Sequence, residues 1–361
     1  EPTLTDIIER VSALKLHTVA AIHGTALGGG LELALGCHWR LADAKAKCGL
    51  PEVHLGILPG AGGTQRLPRI VGCEEAIKLM TSGRPVGAAA AAKLGLVDEV
   101  VGDPKTAKAA DAAALVERAL DFAAALEGAP VDFDARVVAR RAVAPVPDGF
   151  FSAAKAMVVK ASRGEVAGAS IVDAVEAATT APSFEAGLDE ERRLFLELAA
   201  GGQARALQHV FFAERAMGKV EGLDKAVKPL PLKSAAIVGA GTMGGGIAMC
   251  FAERGVPVTI IDTSAEALER GLKTIRGNWQ RQVDKGKLSA AALEERVGRI
   301  RTTTTYDDAG VAAADIAVEA VFERMSIKQT VLKQLDGACK QGAILATNTS
   351  PLNIDEIAAA T

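Results

Sequence analysis

Apolar positions recur along the chain in two periods, and the change of period divides it. Leu4, Ile7, Ile8, Val11 and Leu14 fall at helical spacing and predict an amphipathic helix with one buried face. Thr18 to Ile22 is rich in β-branched and apolar residues and reads as a strand. It leads into His23-Gly24-Thr25-Ala26-Leu27-Gly28-Gly29-Gly30-Leu31-Glu32-Leu33, where glycines precede a further helix. A polar segment containing Asp43 and Lys45 follows, then Gly49-Leu50-Pro51-Glu52 and a glycine-rich run from Leu55 to Pro68. Helices are expected over Val71 to Met80 and over Val86 to Val97. From Lys105 to about Ala200 the chain is Ala-rich, with helical stretches broken at Pro130, Pro145, Pro147 and Pro182. Alanine richness there reports helix propensity, not chemistry. Arg205 to Ala216 is another amphipathic helix, and Pro229-Leu230-Pro231 makes a stiff joint.

Beyond the joint, short apolar runs alternate with helical stripes. Strands are predicted over Ala235 to Val238, Val256 to Ile261, Ile300 to Thr303, Asp315 to Val321 and Ala343 to Thr347. Leu268, Leu272, Ile275 and Trp279 stripe one intervening helix; Ile327, Val331, Leu332 and Leu335 stripe another. This alternation is the pattern of a parallel, doubly wound α/β sheet.

Composition narrows the function classes. A chain of 361 residues, 49% hydrophobic and 24% charged, is long enough for two folded domains. A net charge of −3 carries no electrostatic footprint for nucleic acid, and no apolar stretch is long enough to predict a membrane span. The five cysteines, Cys37, Cys48, Cys73, Cys250 and Cys339, are dispersed and odd in number, which favours reduced thiols and a cytoplasmic location. His23, His38 and His54 show no metal-ligand spacing. The chain opens at Glu1, without Met and inside a predicted helix, so an upstream segment is expected.

Two glycine motifs carry the chemistry. Gly239-Ala240-Gly241-Thr242-Met243-Gly244 follows a strand at G-x-G-x-x-G spacing. There Gly239 permits the tight turn, Gly241 admits a pyrophosphate close to the backbone, and Gly244 lets the new helix approach the sheet. The N–H groups of that helix start, with Thr242 and Met243 in its first turn, would hold the phosphates. Asp262 closes the second strand about 20 residues on, where a carboxylate accepts from a ribose 2′-hydroxyl. With Thr263 and Ser264 next to it rather than Arg, the expected cofactor is NAD, not NADP. In the first half, Gly28-Gly29-Gly30 before a helix suggests backbone N–H groups presented to developing negative charge, with Glu32 and Glu52 as carboxylates able to share a water.

The segments Ala26 to Glu32, Pro51-Glu52 and Pro59 to Arg66 resemble the enoyl-CoA hydratase/isomerase (crotonase) family, as does the run Ala88 to Val101. The resemblance implies a crotonase-like ββα spiral in which the N–H of Gly29 is one of two oxyanion donors and Glu32 and Glu52 are catalytic. The other donor lies in the family on an earlier loop. Gly239 to Ile247, Asp262, Glu319-Ala320-Val321-Phe322-Glu323 and Asn348-Thr349-Ser350 resemble the NAD-binding domain of L-3-hydroxyacyl-CoA dehydrogenases. That resemblance implies cofactor contacts from Glu323, Lys328 and Asn348 and places Ser350 at the substrate hydroxyl. Pro351 stands where the family commonly has a small hydroxyl residue. The family's catalytic His and its Glu partner come after this serine, beyond Thr361.

Together the halves resemble the bifunctional enzymes of fatty acid β-oxidation, truncated at both ends. The expected layout is a crotonase-like domain over 1–186, a helical linker over 187–232 and a Rossmann-type NAD-binding domain over 233–361. The implied substrates are acyl-CoA thioesters, and the resemblance admits a thiolase partner. Two other readings stand beside this one, an enoyl-CoA isomerase at the first site and an inactive acyl-CoA- or NAD-binding scaffold.

Overall fold

The computed structural model describes residues 2–103, 108–109, 112–127, 132–224 and 226–361. Two compact units, Glu1–Glu221 and Gly222–Thr361, divide the chain.

In the first unit the strands are β1 (Val19–Ile22), β2 (Thr25–Leu27), β3 (Trp39–Asp43), β4 (Lys47–Gly49), β5 (Val86–Gly87), β6 (Glu99–Asp103) and β7 (Lys108–Ala109). They form one sheet in the order β1-β3-β6-β7 and another in the order β2-β4-β5. The chain gives one strand to each sheet and then turns into a helix. It does so at β1-β2 before the helix Gly29–Gly36, and again at β3-β4 before the turn Glu52–Leu55. Because β1 pairs with β3 and β2 with β4, both in parallel, successive turns stack as a ββα spiral. The first predicted helix is Leu4–Ser12, capped by Thr3 and buried at Ile8.

Two expectations need correction. The segment read as polar is β3 and β4, and Asp43 is buried there with its carboxylate accepting from the N–H groups of Gly24 (3.1 Å) and Lys45 (2.6 Å). The helix expected over Val86 to Val97 is only Ala88–Lys93, because Val86–Gly87 pairs with β4 and Gly95 takes a φ of +72°. Of the proline breaks, Pro182 separates the helices Ala167–Thr180 and Phe184–Ala200, and Pro145 and Pro147 precede Phe150–Ala161. Pro130 lies outside the described residues.

The helices Phe184–Ala200 and Gly202–Ala216 fall mostly within the range read as linker, and both belong to the first unit. They lie close on its glycine-rich loop: a Cβ on Gly60 would come within 2.6 Å of the Phe195 ring, and one on Gly56 within 2.9 Å of the Ala204 backbone.

The second unit is one parallel sheet of β8 (Ala235–Val238), β9 (Val258–Ile261), β10 (Ile300–Thr303), β11 (Ile316–Glu319) and β12 (Ile344–Thr347), ordered β10-β9-β8-β11-β12. Strands β8 and β9 are buried throughout, as strands covered on both faces must be. Leu268, Ile275 and Trp279 pack on one face; Val311, Val331 and Leu335 pack on the other. Sheet order reverses between β8 and its neighbours β9 and β11, which opens a crevice at the strands' carboxyl ends. A helix at Ala290–Gly298, capped by Ser289, was not expected from the pattern; its apolar stripe is too short to stand out. Among the described residues, no helix is long and apolar enough to cross a membrane.

Candidate active sites

In the first unit the glycine run makes a tight entry into a helix. Gly28 takes a φ of +55°, and its N–H donates to the Gly49 carbonyl at 2.9 Å. Its own carbonyl then accepts from Leu31 (2.8 Å) and Glu32 (3.0 Å). Gly29 and Gly30 are the first two helical residues, so their N–H groups have no partner within the helix.

Glu32 sits one turn in and is buried. Its Oε1 accepts two amide bonds from the glycine-rich loop, from Ala61 N–H at 2.8 Å and Gly63 N–H at 2.9 Å. Burial raises its pKa, and those amides and the charge of Arg66 offset only part of that rise. Glu52 comes from the next turn of the spiral and opens the 3₁₀ turn Glu52–Leu55. Its Oε1 lies 2.8 Å from where a Cβ on Gly28 would be, so a side chain there would displace the carboxyl, and its Oε2 is buried with no hydrogen-bond partner among the described residues. Burial first, and then repulsion from Glu32, push the Glu52 carboxyl up to about 7. One carboxyl is thus supplied with donors that favour its charged form. The other holds its proton near neutrality, the division of labour acid–base chemistry requires.

A third carboxyl in this cluster was missed by sequence reasoning. Glu191, on the helix Phe184–Ala200, is wholly buried and accepts from Gly62 N–H (2.6 Å), Thr64 N–H (3.0 Å) and Thr64 Oγ1 (2.5 Å). Burial first, and then the charge of Glu32, raise its pKa, while the three donors on its two oxygens favour its charged form. Arg66, at the end of the same glycine-rich run, is buried, ion-paired with Glu9 and 5.0 Å from the Phe184 ring. The only hint in the sequence was an acid on the apolar face of a helix, in a segment read as linker.

In the second unit the three motif glycines meet three different constraints. Gly239 has a φ of +107°, and a Cβ there would approach the Ala320 carbonyl to 2.6 Å; one on Gly244 would run into the Gly239 carbonyl oxygen. A Cβ on Gly241 would meet no protein atom within 4 Å, so that glycine faces the open crevice. Asp262 braces the turn: its Oδ2 accepts from Ala240 N–H at 2.7 Å and its Oδ1 from Thr263 N–H at 2.7 Å. Gly239, Gly241, Thr242, Met243 and Asp262 all line one crevice of about 880 Å³. Gly244 lies beneath it. Arg270, one helix turn into Ala265–Asp284, also lines the crevice and was not anticipated. A glycine cradle, a helix start and a carboxylate lining one crevice fit a dinucleotide.

Glu323, Lys328, Asn348 and Ser350 are gathered elsewhere, at the carboxyl ends of β11 and β12. Lys328 is 0% exposed, and its Nζ donates to Glu319 Oε1 (2.8 Å) and Oε2 (3.0 Å) and to the Asn348 carbonyl (3.2 Å). Glu323 Oε2 stands 3.2 Å from the same ammonium, and Glu323 also accepts from the Thr349 hydroxyl, which holds its pKa below the usual value. Glu319, equally buried, further accepts from Val321 N–H (2.7 Å) and Thr347 Oγ1 (2.6 Å). Ser350 is exposed beside this network.

Residues 1–129 match the enoyl-CoA hydratase/isomerase family, and residues 234–361 match the NAD-binding domain of 3-hydroxyacyl-CoA dehydrogenase. The peroxisomal bifunctional enzyme of Cavia porcellus is 40% identical over 365 residues, covering 99% of this chain and 48% of that protein. The Homo sapiens enzyme of the same name is 40% identical over 366 residues, with the same coverage. The fatty acid oxidation complex subunit alpha of Shewanella baltica is 38% identical over 365 residues, 98% of this chain and 49% of that one. The chain spans about half the length of the curated relatives it matches.

Proposed function

The chain is a hydratase–dehydrogenase fusion, an enoyl-CoA hydratase/isomerase domain followed by the NAD-binding domain of a 3-hydroxyacyl-CoA dehydrogenase, and from that premise we propose that its protein carries out two successive steps of fatty acid β-oxidation. The first unit hydrates a trans-2-enoyl-CoA to an L-3-hydroxyacyl-CoA, and the second half serves its oxidation to a 3-oxoacyl-CoA. What carries the first assignment is the buried Glu32 and the half-buried Glu52 beside the N–H of Gly29, which has no partner within its helix. Water adds to C3 of the enoyl group and gives its proton to Glu32, while the protonated Glu52 supplies one to C2. The N–H of Gly29 takes up the negative charge that grows on the thioester oxygen.

Isomerisation of a 3-enoyl-CoA needs a single carboxyl to move a proton, so the presence of two favours hydration. Following crotonyl-CoA and a trans-3-enoyl-CoA in parallel with the full-length protein separates the readings. Turnover of the 3-enoyl substrate alone would make this an isomerase, and turnover of neither would leave a binding scaffold.

Bound NAD supplies the hydride acceptor. In this reading the crevice would hold the dinucleotide, Glu323, Lys328 and Asn348 would serve the cofactor as the family resemblance implies, and Ser350 would face the substrate hydroxyl. Asp262 sets the cofactor preference, since a 2′-phosphate would meet an ionised carboxylate and lose the hydrogen bonds of the ribose hydroxyl. Two such losses of about 1 to 3 kcal/mol each amount to at least about tenfold discrimination. Asp262→Ala is expected to narrow the gap between NADH and NADPH, chiefly by weakening NADH. Fluorescence titration checks this, and equal wild-type affinities would mean that Asp262 does not face the ribose.

A 3-oxoacyl-CoA is the substrate of thiolytic cleavage, which supports a thiolase partner for the full-length protein. All five cysteines are free thiols, which a reducing compartment maintains and which supports a cytoplasmic location.

A further inference from the structure

Four consecutive amides of the glycine-rich loop are shared alternately between two buried carboxyl groups. Ala61 and Gly63 donate to Glu32 at 2.8 and 2.9 Å; Gly62 and Thr64 donate to Glu191 at 2.6 and 3.0 Å. Successive N–H groups there point to opposite sides, so one carboxyl grips the loop from the active-site side and the other from behind. The peptide units are covalently continuous, and neither set of bonds can turn without displacing the other. Gly62 makes this possible with a φ of +95° that disfavours any side chain. The rear grip is close-fitting. A Cβ on Gly187 would collide with the Gln65 side chain, and Gln65 Nε2 donates to Thr64 Oγ1 at 3.0 Å and to the Ala174 carbonyl at 2.8 Å.

Glu191 lies outside both matched segments, 1–129 and 234–361. Among the described residues it makes no hydrogen bond to Glu32, Glu52 or the start of the Gly29 helix, so apart from its repulsion with Glu32 its route to the chemistry is through the loop. We propose that Glu191 is a positioning residue of the hydration site: held on the following helices, it fixes the peptide planes of Ala61 to Thr64 and thereby aims the Glu32 carboxylate at the attacking water. This inference rests on the hydratase reading of the first unit. It makes hydration dependent on a helix beyond the matched hydratase segment.

Glu191→Gln in the full-length protein is the direct test. Glutamine keeps the size, but one of its two terminal positions becomes an NH₂ that must face the N–H of either Gly62 or Thr64, so the loop has to turn. The expected result is a fall in kcat for crotonyl-CoA hydration of about tenfold or more, since small misplacements of a reacting group are costly. KM should stay within about twofold, with the melting curve and NADH binding unchanged. A purely structural role would instead lower the folded fraction and leave kcat per folded molecule intact.

Thr64 gives a second handle in case Glu191→Gln does not fold. Thr64→Val removes the 2.5 Å hydroxyl bond to Glu191 and should lower kcat by a few fold, and Thr64→Ser should restore it. Wild-type kcat in Glu191→Gln, or in Thr64→Val, would overturn the positioning role while leaving the hydratase reading in place. A wild-type protein that hydrates no enoyl-CoA would remove the hydratase reading and this role with it.

Discussion

Glu52→Gln is expected to lower crotonyl-CoA hydration by at least about 10²-fold while making the first unit more stable at alkaline pH. The loss of rate is that of a positioned acid or base, because glutamine cannot supply a proton to C2. The gain in stability follows from burial. The folded state holds the Glu52 proton up to about pH 7, against an ordinary value of 4.5, so it binds that proton more tightly than the unfolded chain. Below about pH 4.5 both states are protonated and the group contributes nothing. As pH rises between the two values the unfolded chain ionises first, and stability falls. Above pH 7 the full cost is on the order of 3 kcal/mol, from about 1.4 kcal/mol per pKa unit, and the neutral amide avoids it. Denaturant unfolding of wild type and variant at pH 8 and at pH 4.5 should show a gap at the first that closes at the second. For the same reason wild-type hydration should decline as pH rises past about 7, when Glu52 loses its proton. Wild-type-like hydration by Glu52→Gln would remove the assignment outright.

Lys328→Met is expected to destabilise the second unit by about 3 to 5 kcal/mol, the cost of leaving a buried charge without its partner. Among the described residues Glu319 would keep the Val321 N–H and the Thr347 hydroxyl and lose its ion-pair partner. The double variant Glu319→Gln/Lys328→Met should recover most of the loss, because removing both charges removes the uncompensated one. Denaturant unfolding reports both numbers, and NADH titration run beside it separates two roles. A Lys328→Met variant that unfolds like wild type yet no longer binds NADH would show that the ammonium serves the cofactor and that Glu319 tolerates its absence.

The same contrast marks what was legible in the chain. The turn from β8 to β9 could be read in detail because its whole logic is local: strand, glycines, helix start and acid lie within one short run, and steric exclusion at Gly239 and Gly244 acts on near neighbours. Strands β8 and β9 were legible for a related reason, since a strand buried on both faces reads as a near-continuous apolar run. Glu32 and Glu52 were found as motif positions, but which of them holds its proton near neutrality was not, because a pKa depends on which groups surround a carboxyl and how much water is excluded.

By itself, then, the sequence determined the order of the two units, the dinucleotide turn and the candidate carboxyl pair. Only the tertiary structure decided that Trp39–Asp43 and Lys47–Gly49 are strands, since their pairing partners are earlier turns of the spiral and their polar residues are satisfied by backbone from elsewhere. It alone turned Lys328 inward onto Glu319, and brought Glu191 to a loop 127 residues away in sequence. The physical reason is common to all three. A polar side chain has no preferred burial of its own, and whether it ends in water, against a ligand or inside the core depends on the donors and charges that distant segments place around it.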